Sequence, residues 1–390
     1  MRKRLYALLG IILFTVAIQT TMSVQAAEPL VVVIDPGHGG DNLGTDYLPI
    51  PEKDYDFIVA MYMKAYLEQY QDVKVYLTRT GDVAMSHKER AQFAKSVNAD
   101  FLFSLHFNAS IEHTYYGAEV WIPSSGSAYS QGYGLANEFL TEFQEMGIYN
   151  RGIKTRIGKT GNDYYGIIRQ CALVNIPSVI VEHCHVDHPY DVVNLQSDDR
   201  LREFGERDAR AVARYFGLTS IDNKTSYKDY APLAVPTPQG KVYQDSTSPD
   251  DRLREFGERD ARAVARYFGL TSIDNKTSYK DYAPLAVPTP QGKVYQDSTS
   301  PEIAIANLVK YDNSNKTLTC NLTASDNETC IQYYAYSFDN GLSWSILCPW
   351  NGTNNTMTIT VNNVPASSGT VMFKVWNQYD QSTDTNVITY

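Results

Sequence analysis

The sequence predicts an open α/β sheet, mostly parallel and twisted, flanked by helices and followed by a small all-β sandwich-like domain. Three observations carry this. Val31-Val32-Val33-Ile34 is a continuous apolar run, the pattern of a strand covered on both faces. Similar runs then alternate with amphipathic segments as far as Phe216. From about Glu302 the texture changes to short, alternating, aromatic-rich stretches separated by turn signals such as Asp339-Asn340-Gly341.

Taken in order, the spacing predicts a helix over Asp54–Tyr70, a strand over Val73–Thr78, a helix near Lys88–Val97 and a strand over Phe101–His106. Ala118–Ile122 and Ser178–Glu182 read as further strands, with helices between them and a short one at Tyr164–Arg169. Leu201–Phe216 is the closing helix. Leu201, Phe204, Val212, Tyr215 and Phe216 share one face, and Arg202, Glu203, Glu206, Arg207, Arg210 and Arg214 take the other. In the last part, Thr317–Leu322, Ile331–Ser337, Thr356–Val361 and Val371–Trp376 read as strands.

At the start, Arg2-Lys3-Arg4, the apolar run Leu5–Ile18 and Val24-Gln25-Ala26-Ala27 form a secretory signal over residues 1–27. The apolar run is shorter than the ~20 residues that span a bilayer. The predicted division is therefore a signal (1–27), an α/β domain (28–218), a linker rich in Pro, Ser and Thr (219–301) and a β domain (302–390). Hydrophobic content of 43%, charged content of 20% and a mean hydropathy of −0.34 exclude a polytopic membrane protein and a disordered chain. Net charge is −10, or −13 once the signal is removed, which argues against nucleic acid and anionic lipid as partners. A secreted protein with no membrane anchor after cleavage is the expectation. Five cysteines are too few for a disulfide scaffold. Cys320, Cys330 and Cys348 in the β domain allow one disulfide in three pairings, and nothing pairs Cys171 with Cys184.

Residues Asp198–Pro249 recur without a change as Asp250–Pro301. Solenoid repeats diverge and need several copies, so two identical copies point to a recent duplication or an error of sequence assembly. Two helices then compete for one slot. The first copy reaches it through a short loop, and the second closes a loop some 50 residues longer, which costs about 1 kcal/mol more. Copy one is expected to dock and Leu253–Phe268 to lie in the linker, with a domain-swapped dimer as the other home for its apolar face.

Three reactive side chains fall at predicted strand ends. His38 follows the first strand in Asp35-Pro36-Gly37-His38-Gly39-Gly40, His106 ends Phe101–His106, and Glu182 ends Val179-Ile180-Val181-Glu182. In open α/β sheets ligands bind in the crevice outside the carboxyl ends of the strands. Two imidazoles and a carboxylate there suit a catalytic zinc, which takes three protein ligands and keeps a position open for water. A further carboxylate is then needed as general base. Glu52, placed after the glycine turn at 39 and 40, supplies the missing acid.

Val33–Gly40, Glu52-Lys53-Asp54, Leu77-Thr78-Arg79, Glu89-Arg90, Ser104–Ala109 and Pro177–Glu182 occur in an order that resembles the zinc-dependent N-acetylmuramoyl-L-alanine amidases of bacterial cell-wall turnover. The resemblance covers about Leu30 to Leu218. It implies that His38, Glu52 and His106 are zinc ligands and that Glu182 is the catalytic glutamate. The implied reaction is hydrolysis of the amide between N-acetylmuramic acid and L-alanine in peptidoglycan, at the cell wall. The alternatives are another zinc-dependent peptidase of the stem peptide, or a non-catalytic wall-binding module.

Where relatives continue with small apolar residues, this chain reads Glu182-His183-Cys184-His185-Val186-Asp187-His188. Simple alternation puts Cys184 on the side of Glu182 and the two histidines opposite. The cluster reads as a polar loop rimming the cleft or as a second metal site. Arg169 and Asn108 are candidate substrate contacts, Arg169 through a stem-peptide carboxylate. His87, His113 and His188 carry no assigned role. Trp344, Trp350 and Trp376 are either a glycan-stacking surface or core aromatics.

Overall fold

The computed structural model describes residues 28–47, 50–110, 113–230, 297, 299–352, 355–365 and 367–390. The predicted signal, the second helix copy Leu253–Phe268 and the swapped dimer built on it lie outside the described residues.

The first half is β1 (Leu30–Pro36), α1 (Glu52–Leu67), β2 (Val73–Leu77), α2 (His87–Ser96), β3 (Phe101–Asn108), β4 (Ala118–Trp121), α3 (Gly126–Glu145), β5 (Asn150–Lys154), α4 (Gly166–Leu173), β6 (Ser178–His185), the single turn α5 (Pro189–Val192) and α6 (Asp198–Phe216). The six strands form one sheet in the order β2-β1-β3-β6-β4-β5, parallel except where β4 meets β6. From β1 the chain steps outward to β2 and returns across β1 to β3. The strand order therefore reverses between β1 and β3, where open α/β sheets place their ligands.

Continuous apolar runs are explained by cover on both faces. Val32, Ile34, Phe103 and Val181 pack under α1, α3 and α6, whereas Val33, Leu102 and Ile180 pack under α2 and α4. Helix α1 starts at Glu52 rather than Asp54, since Pro51 presets the entry and Glu52 and Asp54 complement the helix dipole in its first turn. It stops at Leu67 rather than Tyr70, because Tyr70 bridges Ser220. Strand β5 was not predicted. Its residues Asn-Arg-Gly-Ile-Lys carry no apolar alternation.

Copy one fills the helix slot as α6, packed on α1 and α3. Its arginine face is not left to solvent. Arg207, Arg210 and Arg214 converge at 2.6–3.1 Å on the carboxylate of Glu142 in α3, which is fully buried.

The second half contains β7 (Ile303–Asp312), β8 (Thr317–Ser325), β9 (Ile331–Ser337), β10 (Cys348–Pro349), β11 (Thr356–Val361), β12 (Thr370–Asn377), β13 (Ser382–Asp384) and β14 (Ile388–Thr389). They form two antiparallel sheets, β10-β9-β12-β13 with β14 on β12, and β11-β8-β7. The unpredicted β7 is an edge strand with most side chains exposed, so it lacks a core-facing pattern. The five cysteines are all free, so none of the three possible pairings forms. Trp350 lies against the β core, while Trp344 and Trp376 pack beside the fully buried Tyr333, with Lys374 above Trp344 at 4.6 Å. Core and interface roles thus account for these rings.

The halves meet at β5. Tyr333 Oη donates to the Tyr116 carbonyl and accepts from Arg151 Nη1, and Asp380 takes Arg151 Nη2 on both oxygens at 2.8 and 2.9 Å. Gln378 Nε2 donates to the Ile153 carbonyl, and the Thr155 amide donates to Tyr379 Oη. Approach is so close that a Cβ at Gly152, whose φ is +90°, would lie 2.3 Å from Gln378 Nε2. The β half is docked on the sheet edge, not merely tethered.

The duplication gives a clean test. Asp297 of copy two is buried and bonded by Asn377 Nδ2, Thr329 Oγ1 and the Thr299 amide. Excising Asp250–Pro301 joins Pro249 to Glu302 and presents an identical Asp245–Pro249 to the same partners. The excised chain is expected to keep its fold and gain about 1 kcal/mol from the shorter loop, read by thermal melting. A large loss of stability would show that copy two has a structural role.

Candidate metal centre

His38 sits two residues past the end of β1 at Pro36, in a left-handed conformation, φ +54°, followed by Gly39 at +119° and Gly40 at +60°. A non-glycine residue held there is strained and persists only when its surroundings fix it. Two buried arginines do so. Arg79 donates to the carbonyls of Pro36, Gly37 and Lys53, and Arg90 to those of Pro36 and His38 while pairing with Asp35 at 2.6 Å. The motif Asp35–Gly40 and the separate Arg79 and Arg90 are therefore one device for aiming His38.

The imidazole Nδ1 of His38 donates to Asn42 Oδ1 at 3.0 Å, which leaves Nε2 free as a ligand atom. That Nε2 lies 3.1 Å from Glu52 Oε1, and His106 Nδ1, from β3, lies 3.1 Å from the same oxygen. Glu52 is held by the amides of Phe107 on Oε1 and Thr45 on Oε2. Burial alone would raise its pKa, but hydrogen bonds to His106 and His38 bring it down to about 2. For His38, burial pulls the pKa down, and the contact with Glu52 outweighs that and raises it.

Glu182 on β6 is the direct register partner of His106 on β3. Its Oε2 is buried without a partner. Burial first, then the charges of Glu52 and Glu119, push its pKa well above the usual carboxylate range. Among the described residues, one group of side chains could hold a metal ion: His38, Glu52, His106 and a fourth, Asp56, with ligand atoms all within 4.8 Å of one another. Asp56 lies one turn along α1 from Glu52. Sequence reading missed it because an acid in mid-helix looks like a solvated charge; only the i, i+4 spacing from Glu52 could have flagged it.

The stretch after Glu182 departs from its expected form. β6 runs on to His185 and is almost wholly buried, so it is not a rim loop. Glu182 faces His106 and His185 faces Asn108, leaving His183 and Cys184 opposite the single residue Phe107. This bulge breaks the alternation and turns Cys184 into the core beneath α1, away from the side predicted for it. His183 stacks on Phe107 and bonds both the His106 carbonyl and Asp208, at 2.9 Å each. His185 Nδ1 lies 3.0 Å from the Gly117 carbonyl. The histidines are thus separated, and no second metal group forms among the described residues. Arg169 donates to the carbonyls of Asp163 and Tyr164, and Asn108 holds Glu119 Oε1 and the Ala109 amide, so the described contacts of both are internal.

His185 carries a pH signature. Burial first, and then the charge of Arg151, push its pKa down to about 3. The unfolded chain takes up that proton near pH 6.5, so below this value it binds more protons than the folded state. Stability from this group is complete above pH 6.5 and falls as pH drops toward 3, by about 1.4 kcal/mol per unit. His185→Gln is expected to flatten the decline of Tm between pH 6 and 4. An unchanged slope would contradict the assignment.

Chemically, the cluster can hold a divalent ion beside a carboxylate of raised pKa, in the crevice at the switch point of an open α/β sheet; this is the arrangement of a metal-assisted hydrolase. A family profile described as N-acetylmuramoyl-L-alanine amidase matches residues 32–214. The N-acetylmuramoyl-L-alanine amidase CwlM of Bacillus licheniformis is 28% identical over 190 residues, 48% of this chain and 69% of that protein. Escherichia coli AmiC is 28% identical over 226 residues, 48% of this chain and 53% of that one. The solved AmiC2 amidase of Nostoc punctiforme shares 30% identity with a TM-score of 0.42, over 48% of this chain and 97% of that chain. Residues 32–214 of the chain belong to the N-acetylmuramoyl-L-alanine amidase family, and by that membership form an amide hydrolase domain. The profile match ends within α6, so the β half lies beyond it. None of the described helices is long and apolar enough to cross a membrane.

Proposed function

We propose that the chain is a secreted zinc hydrolase that cleaves the amide between the lactyl group of N-acetylmuramic acid and L-alanine in peptidoglycan. The observation that carries this reading is the convergence of His38 Nε2 and His106 Nδ1 on one oxygen of Glu52, with Glu182 in register beside His106. Fit to a cation is supported by orphaned carboxylate oxygens on Glu182 and Asp56, since buried charge without a partner is rare. His38, Glu52 and His106 would hold the zinc. Zinc supplies polarisation of the amide carbonyl and a water acidic enough to ionise near neutral pH.

The residues of the chain do the rest. Glu182 takes the proton of the attacking water and delivers it to the departing amine nitrogen, a role suited by a pKa that burial holds above the usual carboxylate range. Asn42 keeps the His38 proton on Nδ1, away from the ligand atom. Arg79 and Arg90 keep the His38 loop closed down on β1. Tyr165, within electrostatic reach of Glu182, and Trp121, 4.8 Å from it, would offer an apolar wall to the sugar or peptide.

The test is digestion of purified peptidoglycan by the chain from Glu28, with and without a zinc chelator, products read by mass spectrometry. Chelator-sensitive release of intact stem peptides with N-terminal L-alanine is expected. Cuts within the stem peptide would turn the assignment to a peptidase. No release with zinc bound would leave a wall-binding module.

A further inference from the structure

We propose that Asp56 is a fourth protein ligand of the ion held by His38, Glu52 and His106, which makes the site a set of two imidazoles and two carboxylates. This rests on the reading of that cluster as a metal centre. The side chain is completely excluded from solvent, and neither carboxylate oxygen has a hydrogen-bond partner. A buried carboxylate in that state is strongly disfavoured unless a cation meets it. The nearest protein cation does not serve. Arg79 spends its donors on the carbonyls of Pro36, Gly37, Gly81 and Lys53.

Space around Asp56 is arranged for a shared site. A Cβ on Gly37 would lie 2.7 Å from Asp56 Oδ2 and 2.6 Å from His106 Nδ1, so this glycine leaves room for both groups side by side. Had Asp56 served only to orient His106, one oxygen would take a hydrogen bond from the ring; both are bare. With bonds of about 2.1 Å, neighbouring donor atoms on one ion lie about 3 Å or more apart, and a zinc that takes five ligands keeps one position for water beside these four. The four atoms here, within 4.8 Å, need only modest closure around an ion. Glu52 and Asp56 follow one another by a single turn of α1, so one helix end delivers both acids to one side of the site. Two carboxylates balance the double charge of the ion, and the added oxygen donor favours a harder ion such as manganese(II) more than a three-ligand set does.

The experiment uses the chain from Glu28 and two probes, cobalt(II) and zinc. Asp56→Asn keeps the shape of the side chain and removes its charge. Its cobalt(II) visible spectrum is expected to differ in band position and intensity from wild type, since one donor changes. Zinc affinity, measured by chelator competition, is expected to fall about tenfold to hundredfold or more. An unchanged cobalt spectrum with unchanged zinc affinity would overturn the proposal. Wild type that binds neither ion would overturn the metal-centre reading itself. If Asp56→Asn does not fold, Asp56→Ala read on the same spectrum decides in the same way.

Discussion

Glu182→Gln is expected to lower turnover on peptidoglycan by about 10²–10⁴-fold, the usual contribution of a positioned general base, while zinc content stays at the wild-type level. Gln keeps the size of the side chain and its place on β6, so the His106 register partner and the packing are preserved. It cannot take a proton. Metal ligation rests on other residues, and Glu182 is outside the group whose atoms come within reach of a single ion. Loss of metal along with activity would move Glu182 into the ligand set. Full activity would remove it from the mechanism.

The sequence made legible what repeats locally and hid what depends on partners far along the chain. β1, β3 and β6 could be read because a strand covered on both faces shows an unbroken apolar run, and the carboxyl ends of those runs led directly to His38, His106 and Glu182. β5 could not be read, because Arg151 and Lys154 are buried only once Glu119 and Asp380 neutralise them. The bulge at His183-Cys184 escaped for a related reason: a two-against-one pairing is a property of β3 and β6 together, whereas alternation is counted along one strand. Asp56 is the sharpest case. As a lone helical acid it gives no signal, and its meaning comes from His106 and Gly37, which approach it from other elements.

The largest effect on stability is expected from Arg151, where the two halves of the molecule share one buried charge network. Arg151 Nε meets Glu119 Oε2 at 2.7 Å, Lys154 Nζ meets the same oxygen at 2.7 Å, and Asp380 reaches in from the β half. Burial alone would raise the pKa of Glu119, but Lys154 and Arg151 bring it well below the usual carboxylate range. Arg151→Met leaves Asp380 with only the more distant Lys154, 3.9 Å away, and Glu119 with one cation in place of two. Breaking a buried pair from one side costs about 3–5 kcal/mol, which should appear as a drop in Tm of roughly 10 °C. Asp380→Asn should cost less, because Asp380 keeps 30% of its side-chain surface in solvent and Arg151 retains Glu119 and Tyr333. The effects of the two substitutions should not add, since both cut the same contact. The network also touches chemistry: Glu119 is the register partner of Glu182 across β4 and β6, and its charge helps keep the Glu182 pKa high. Arg151→Met, by loosening the hold on Glu119, should therefore shift the acid limb of the pH–rate profile as well as the melting temperature. A variant that melts within about 1 kcal/mol of wild type would show that the β half does not sit on β5 in solution.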